Sequence, residues 1–152
     1  RLRAFALVPV AAPDYLARAG TPQHPLDLLQ HQRIDFLTPY DRKAWPAYFY
    51  RDGEEIEIPP QGRIALDNSQ ACLALARQGM GIYADYALQL KDDLASGRLQ
   101  RILPDWDMLS WPLFAVYKNE GPPSAAVRAF LDFLEDSCNQ VHEDVPAAGK
   151  PG

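Results

Sequence analysis

Two cysteines and three histidines in 152 residues leave little material for redox, metal or nucleophilic chemistry. Cys72 and Cys138 fall in separate apolar helical patterns, so both are expected as small buried hydrophobes. A disulfide would need their α-carbons within about 7 Å, and nothing local brings them together. His24 and His31 flank a short proline-led segment and His142 stands near the end of the sequence. None has a Cys, Asp or Glu at metal-ligand spacing on a shared face. A G-x-S-x-G elbow, a P-loop and a dinucleotide glycine fingerprint are all missing. Gly79-Met80-Gly81 is too short to cradle a phosphate and fits a helix stop followed by a strand start. No enzymatic activity, metal or cofactor is therefore expected.

Two further absences bear on partners. No apolar run reaches the roughly 20 residues needed to span a bilayer. Arg1-Leu2-Arg3 is basic, but Ala4 to Ala12 is interrupted by Pro9 and leads straight into structured sequence, unlike a signal peptide. The cytosol is the expected compartment, without membrane contact. An excess of positive charge is also missing. The net charge is −5, a sign that repels phosphate backbones, so this polypeptide is not expected to grip nucleic acid by itself.

What is present describes an ordinary globular chain, 47% hydrophobic and 23% charged, of single-domain size. Phe5 to Val10 reads as a buried strand. Pro13-Asp14 opens a helix that Gly20 closes, and Pro25 to Gln30 repeats the device. Ile34 to Leu37 alternates as a half-buried strand. Asp52-Gly53 between Tyr48-Phe49-Tyr50 and Ile56-Glu57-Ile58 predicts a tight hairpin. Gly62 to Leu66 is the next strand, and Asn68 or Ser69 is the natural N-cap of a helix through Gln78. Gly81 to Ala84 predicts a strand, Tyr86 to Ala95 a helix, Leu99 to Leu103 a strand and Leu113 to Val116 another. Ser124 caps an amphipathic helix carrying Val127, Phe130, Leu131, Leu134 and Cys138 at helical spacing. The sequence predicts an α/β domain with a mixed sheet.

Some tempting features reduce to structure. Glu54-Glu55-Ile56-Glu57 follows a hairpin turn and is most simply a solvated strand edge. Trp45, Tyr48, Phe49 and Tyr50 lack the interleaved basic residues of a base-stacking platform and read as hairpin packing.

In order, Ala12-Pro13-Asp14-Tyr15-Leu16-Ala17-Arg18-Ala19-Gly20-Thr21-Pro22, Pro25-Leu26-Asp27-Leu28 with His31, Trp45, the strand at Gly62, Asn68-Ser69 and Gly79-Met80-Gly81-Ile82 form a recognisable series. Leu94 to Leu99, Leu103 to Trp106, and Ser124 followed by Val127-Arg128-Ala129-Phe130-Leu131-Asp132-Phe133-Leu134 continue it. In this order, over about residues 5–138, the sequence resembles the effector-binding domain of LysR-type transcriptional regulators. The resemblance implies a periplasmic-binding-protein-like (type II) α/β fold with two lobes. Residues 1–11 would be a strand crossing between lobes and 12–107 a nearly complete second lobe. Residues 108–140 would be the return strand and final helix of a partial first lobe, and 141–152 a disordered tail. One departure stands out: Asp85-Tyr86 occupies a place where the family often has Leu-Pro.

The resemblance also implies a site. Asn68, Ser69, Gln70 and Ala71 match a helix start that faces the interlobe cleft, where unpaired N–H groups favour a carboxylate or another anion. Capping preference alone would make this pair a plain N-cap. Phe36, Leu37 and Thr38 match a strand end opening on the same cleft, and Val10 and Ala11 match the crossing strand. The implied function is sensing a small-molecule effector, with DNA read by a helix-turn-helix outside this sequence and assembly as a homodimer or homotetramer. The alternative is a solute-binding protein of the same architecture serving a transporter.

Overall fold

The computed structural model describes residues 4–112, 114–116 and 121–143. The apolar run at the start becomes β1 (Ala4–Ala11), the strand around which the sheet is assembled. Its second half pairs antiparallel with β6 (Tyr83–Tyr86) on one side and with β7 (Gln100–Arg101) on the other. β2 (Ile34–Phe36) and β5 (Ile64–Leu66) form a parallel pair. A parallel bridge between Arg33 and Ile82 stitches that pair to β6. Its bonds run from the Ile34 amide to the Ile82 carbonyl at 2.8 Å and from the Ile82 amide to the Gln32 carbonyl at 2.9 Å. The bridge sets the parallel pair β5-β2 beside the antiparallel set β6-β1-β7.

Gly81 is required at that stitch, since a Cβ there would lie 2.7 Å from the Gln32 carbonyl oxygen. The hairpin also forms as its turn chemistry demands. β3 (Ala47–Arg51) and β4 (Glu54–Ile58) flank Asp52 and Gly53, whose φ values of 49° and 82° belong to a tight two-residue turn. β8 (Asp107–Met108) adds to β3 as a third strand that the sequence pattern did not indicate.

Helices cover the sheet. α1 (Pro13–Ala19) ends at Gly20, and Pro25–Gln30 forms a 3-10 helix. His24 caps that turn through Nδ1, which accepts the Leu26 amide, while Asp27 accepts the His24 amide. α2 (Ser69–Arg77) and α3 (Ala87–Ser96) follow. Two buried clusters result. Val8, Val10, Ile34, Cys72, Leu73, Tyr83 and Leu90 fill one, between the sheet and α2 and α3. Ala11, Tyr15, Leu28, Phe49, Ile82, Trp106 and Met108 fill the other, toward the hairpin sheet. The period-two alternation of β1 separates these two sides.

Strand limits differ from the sequence pattern in instructive ways. β6 begins at Tyr83 and runs through polar Asp85, because the ladder with β1 continues to the Leu7–Tyr86 pair. Leu99 to Leu103 contributes only Gln100–Arg101 to the ladder; Leu103, at φ 50°, turns the chain away while remaining buried. The strand expected at Leu113–Val116 lies earlier, as β9 (Ser110–Pro112), paired with Ala4 to Ala6. Pro112 has no amide to donate, which suits the end of a ladder. Residues 114–116 have no regular structure and Leu113 lies outside the described residues.

α4 (Ala125–Glu143) starts where Ser124 predicts, with the Val127 amide donating to Ser124 Oγ at 3.3 Å. It continues past residue 140, so the expected tail cannot begin at 141; the rest of that tail, 144–152, lies outside the described residues. Cys72 is buried as expected, but Cys138 is only half-buried. Among the described residues no helix is long and apolar enough to cross a membrane.

Candidate ligand-binding cleft

A cleft of about 960 Å³ opens along the sheet. Leu7 and Pro9 of β1 and Ala84 of β6 line one stretch of it, facing Phe49 and Met108 of the hairpin sheet. At the C-terminal ends of the strands it reaches Phe36, the last residue of β2, and Thr38 beyond it, Ser69 in the first turn of α2, and Tyr86 and Gln89 at the cap and first turn of α3. Strand ends meeting helix starts are where open α/β sheets gather ligands, because backbone donors converge there.

The residues singled out from sequence divide into three groups. Phe36, Thr38 and Ser69 line the cleft. Leu37, Asn68, Gln70 and Ala71 lie beside it without lining it. Asn68 spends its side-chain oxygen as the N-cap of α2, accepting the Ala71 amide at 2.9 Å. Leu37 bonds its amide to the Leu66 carbonyl, and Gln70 reaches Gln89 at 3.5 Å. Val10 and Ala11 are fully buried and stand away from the cleft. Alternation turns Val10 toward α2 and α3, and Ala11 is covered by the cluster around Trp106 and Ile102. On β1 the cleft-lining residues are Leu7 and Pro9.

The charged lining was not foreseen. Arg33 and Asp35 form a buried pair, Nη2 to Oδ1, at 3.2 Å. Arg33 also donates to the Pro59 carbonyl at 2.8 Å, and Asp35 Oδ2 accepts the amides of Gln61 and Gly62 at 2.9 and 3.1 Å. Burial draws the Arg33 guanidinium below its ordinary range, and Asp35 opposes that. Asp85 is different. Its Oδ2 accepts the Tyr83 hydroxyl at 3.0 Å and its Oδ1 the Tyr86 amide at 2.7 Å. Burial raises the Asp85 pKa against these two bonds. Burial and then the Asp85 charge raise the Tyr83 and Tyr86 hydroxyls in turn. The signal in the sequence was a carboxylate between Ala84 and Tyr86, inside a strand and off the family pattern.

Histidines play local roles here: the Tyr15 hydroxyl and His31 Nδ1 lie 2.8 Å apart, and His24 caps the 3-10 helix. Cys72, pushed up to about 11 by burial, is a packing residue rather than a nucleophile.

Comparison with known proteins gives these elements a family. The LysR substrate binding domain model matches residues 1–139. The HTH-type transcriptional regulator YcaN of Escherichia coli (strain K12) is 36% identical over 125 residues, which are 82% of this chain and 40% of that protein. The HTH-type transcriptional regulator CrgA of Neisseria meningitidis serogroup C (strain 8013) is 30% identical over 126 residues, 82% of this chain and 41% of that protein. The chain thus spans about two-fifths of the length of these curated relatives. Among solved structures, the CrgA regulatory domain from Neisseria meningitidis is similar with a TM-score of 0.69 at 25% identity, covering 90% of this chain and 66% of that one. The regulatory domain of AphB from Vibrio vulnificus gives 0.74 at 23% identity, covering 88% and 66%, a likeness of fold. The α/β architecture is that of the periplasmic-binding-protein-like effector domains, and the relatives are transcriptional regulators rather than transporter binding proteins. This chain belongs to the LysR substrate-binding domain family.

Proposed function

We propose that the cleft is the effector site of a transcriptional sensor, closed on its far side in the intact regulator by the first lobe, to which β9 and α4 contribute. The observation that carries this reading is the junction of strand ends and helix starts, Phe36, Thr38 and Ser69, around one opening of about 960 Å³. That volume suits a small organic molecule. The relatives are transcriptional regulators, which supports reading the cleft as one that binds its ligand. DNA is read by a helix-turn-helix outside this sequence, within a cytoplasmic homodimer or homotetramer. An effector that prefers one arrangement of that assembly shifts its DNA affinity, a coupling typically worth about 1–3 kcal/mol.

The test is Ser69→Leu in the full-length gene product, scored with a reporter fused to the regulated promoter across a panel of carbon and nitrogen sources. The variant is expected to lose the response to whichever source activates the wild type, while retaining its fold and its basal DNA occupancy. An unchanged response would move the effector site elsewhere.

A further inference from the structure

Two side chains of opposite charge, Arg33 and Asp35, form an ion pair in the cleft wall, which leaves Asp85 as the carboxylate without such a partner among the described residues of that wall. Both groups that hold Asp85 are neutral, the Tyr83 hydroxyl and the Tyr86 amide. A carboxylate with 5% of its residue surface exposed and no counter-charge is unfavourable by itself, and a cation arriving with a ligand offsets that cost. The aromatic lining points the same way. Phe36, Trp45, Tyr86 and Trp111 are each between 37% and 56% exposed and line this cleft. Trp45 and Trp111 stand 6.0 Å apart at 45°, and aromatic faces attract organic cations.

We propose that the cleft selects a small organic cation, an apolar body ending in a protonated amine, and that Asp85 is the residue that sets this preference. The inference rests on the cleft being the effector site. It replaces the anionic ligand suggested by the helix start at Asn68-Ser69. Asp85 and Ser69, in the first turn of α2, line the same cleft, so an anion bound at that turn would meet a like charge in the same wall. A cation there meets Asp85, the hydroxyl of Tyr83 and the ring faces.

Three probes of matched shape decide the matter: 2-phenylethylamine, 3-phenylpropanoate and 2-phenylethanol, titrated by calorimetry into the full-length gene product. The amine is expected to bind more tightly than either of the others by about tenfold or more. Asp85→Asn, which keeps the size and the acceptor for Tyr83, is expected to weaken the amine by about tenfold and so to erase its preference over the alcohol. Its melting curve reports whether the fold is kept. Ala84→Trp fills the cleft and is expected to abolish amine binding. If the propanoate or the alcohol binds best, or Asp85→Asn leaves the amine unaffected, and Ala84→Trp still abolishes binding, the charge preference fails and the cleft survives as the site. Amine binding that persists in Ala84→Trp overturns both. No amine binding up to millimolar concentration also overturns the proposed preference.

Discussion

α2 and α4 carry the same kind of sequence signal and meet different fates. Both begin with a capping side chain, Asn68 and Ser124, and both place apolar residues at helical spacing. In α2 that stripe is sealed: Cys72, Leu73 and Ala76 are at most 1% exposed beneath the sheet. In α4 it is covered only in part: Leu131, Leu134 and Cys138 are half-buried, while Phe130 is 59% exposed and the neighbouring Phe133 64%. Periodicity announces that a helix has an apolar face, but it does not say what will cover it. α2 has its partner within this chain, because β1, β2 and β6 return to it. α4 belongs, on the reading above, with β9 to a lobe completed by elements outside this sequence. α2 is further fastened by Arg77, whose Nε and Nη2 reach the buried Asp93 of α3 at 2.9 and 2.8 Å. Arg98 closes on the same carboxylate at 3.0 Å.

Substitutions should therefore separate the two helices by their thermodynamic cost. Leu73→Ala opens a cavity under α2 and is expected to destabilise the fold by about 2–5 kcal/mol, read by urea denaturation. A loss below about 1 kcal/mol would mean that α2 is less firmly seated than its burial indicates. Asp93→Ala removes the anchor between α2 and α3. About 2 kcal/mol is expected, because hydrogen bonds to charged groups are worth about 1.5–3 kcal/mol and both arginines can turn to solvent. Urea denaturation of Asp93→Ala together with Arg77→Ala in a double-mutant cycle isolates that anchor, and additive losses would show it to be idle. Phe133→Ser in α4 should change the stability of this chain by less than about 0.5 kcal/mol, since the ring is exposed here. The same change in the full-length gene product should cost more, and an equal, negligible cost in both would show that α4 never acquires a cover.

A pH titration of stability sharpens the picture on the strand beneath α2. Burial raises the Asp85 pKa in the folded state above its unfolded value, so the folded state holds its proton more firmly. Ionising Asp85 then weakens the fold as pH rises from the unfolded to the folded pKa, and stability should recover as pH falls back through that window. Asp85→Asn is expected to remove this component of the pH slope, as thermal melts across the acidic range would show.

Much of the fold was legible because it is written in short-range chemistry. Asp52-Gly53 specifies a hairpin turn, Gly20 and Gly97 stop helices at positive φ, and Asn68 announces α2. The candidate site was legible only in part. Phe36, Thr38 and Ser69, which line the cleft, were implied by the family resemblance, since local signals alone read as capping and core packing. Leu7 and Pro9 were missed in favour of Val10 and Ala11, which occupy the same strand, because a one-residue step along a strand reverses the face. Only the packing of α2 and α3 against Val8 and Val10 reveals which face is covered.

The sequence by itself determined where the chain turns, which residues cap its helices, which strands are apolar and which family it resembles. The turns, caps and apolar strands depend on backbone preferences and side-chain bonds spanning a few residues, and the family resemblance on the order of such short motifs along the chain. The tertiary structure decided that β8 joins the hairpin, that Asp93 receives Arg77 from 16 positions away, and that Asp85 loses its water beside the cleft. Exclusion of solvent from a group is fixed by residues remote in the chain that fold over it, and no local pattern encodes it.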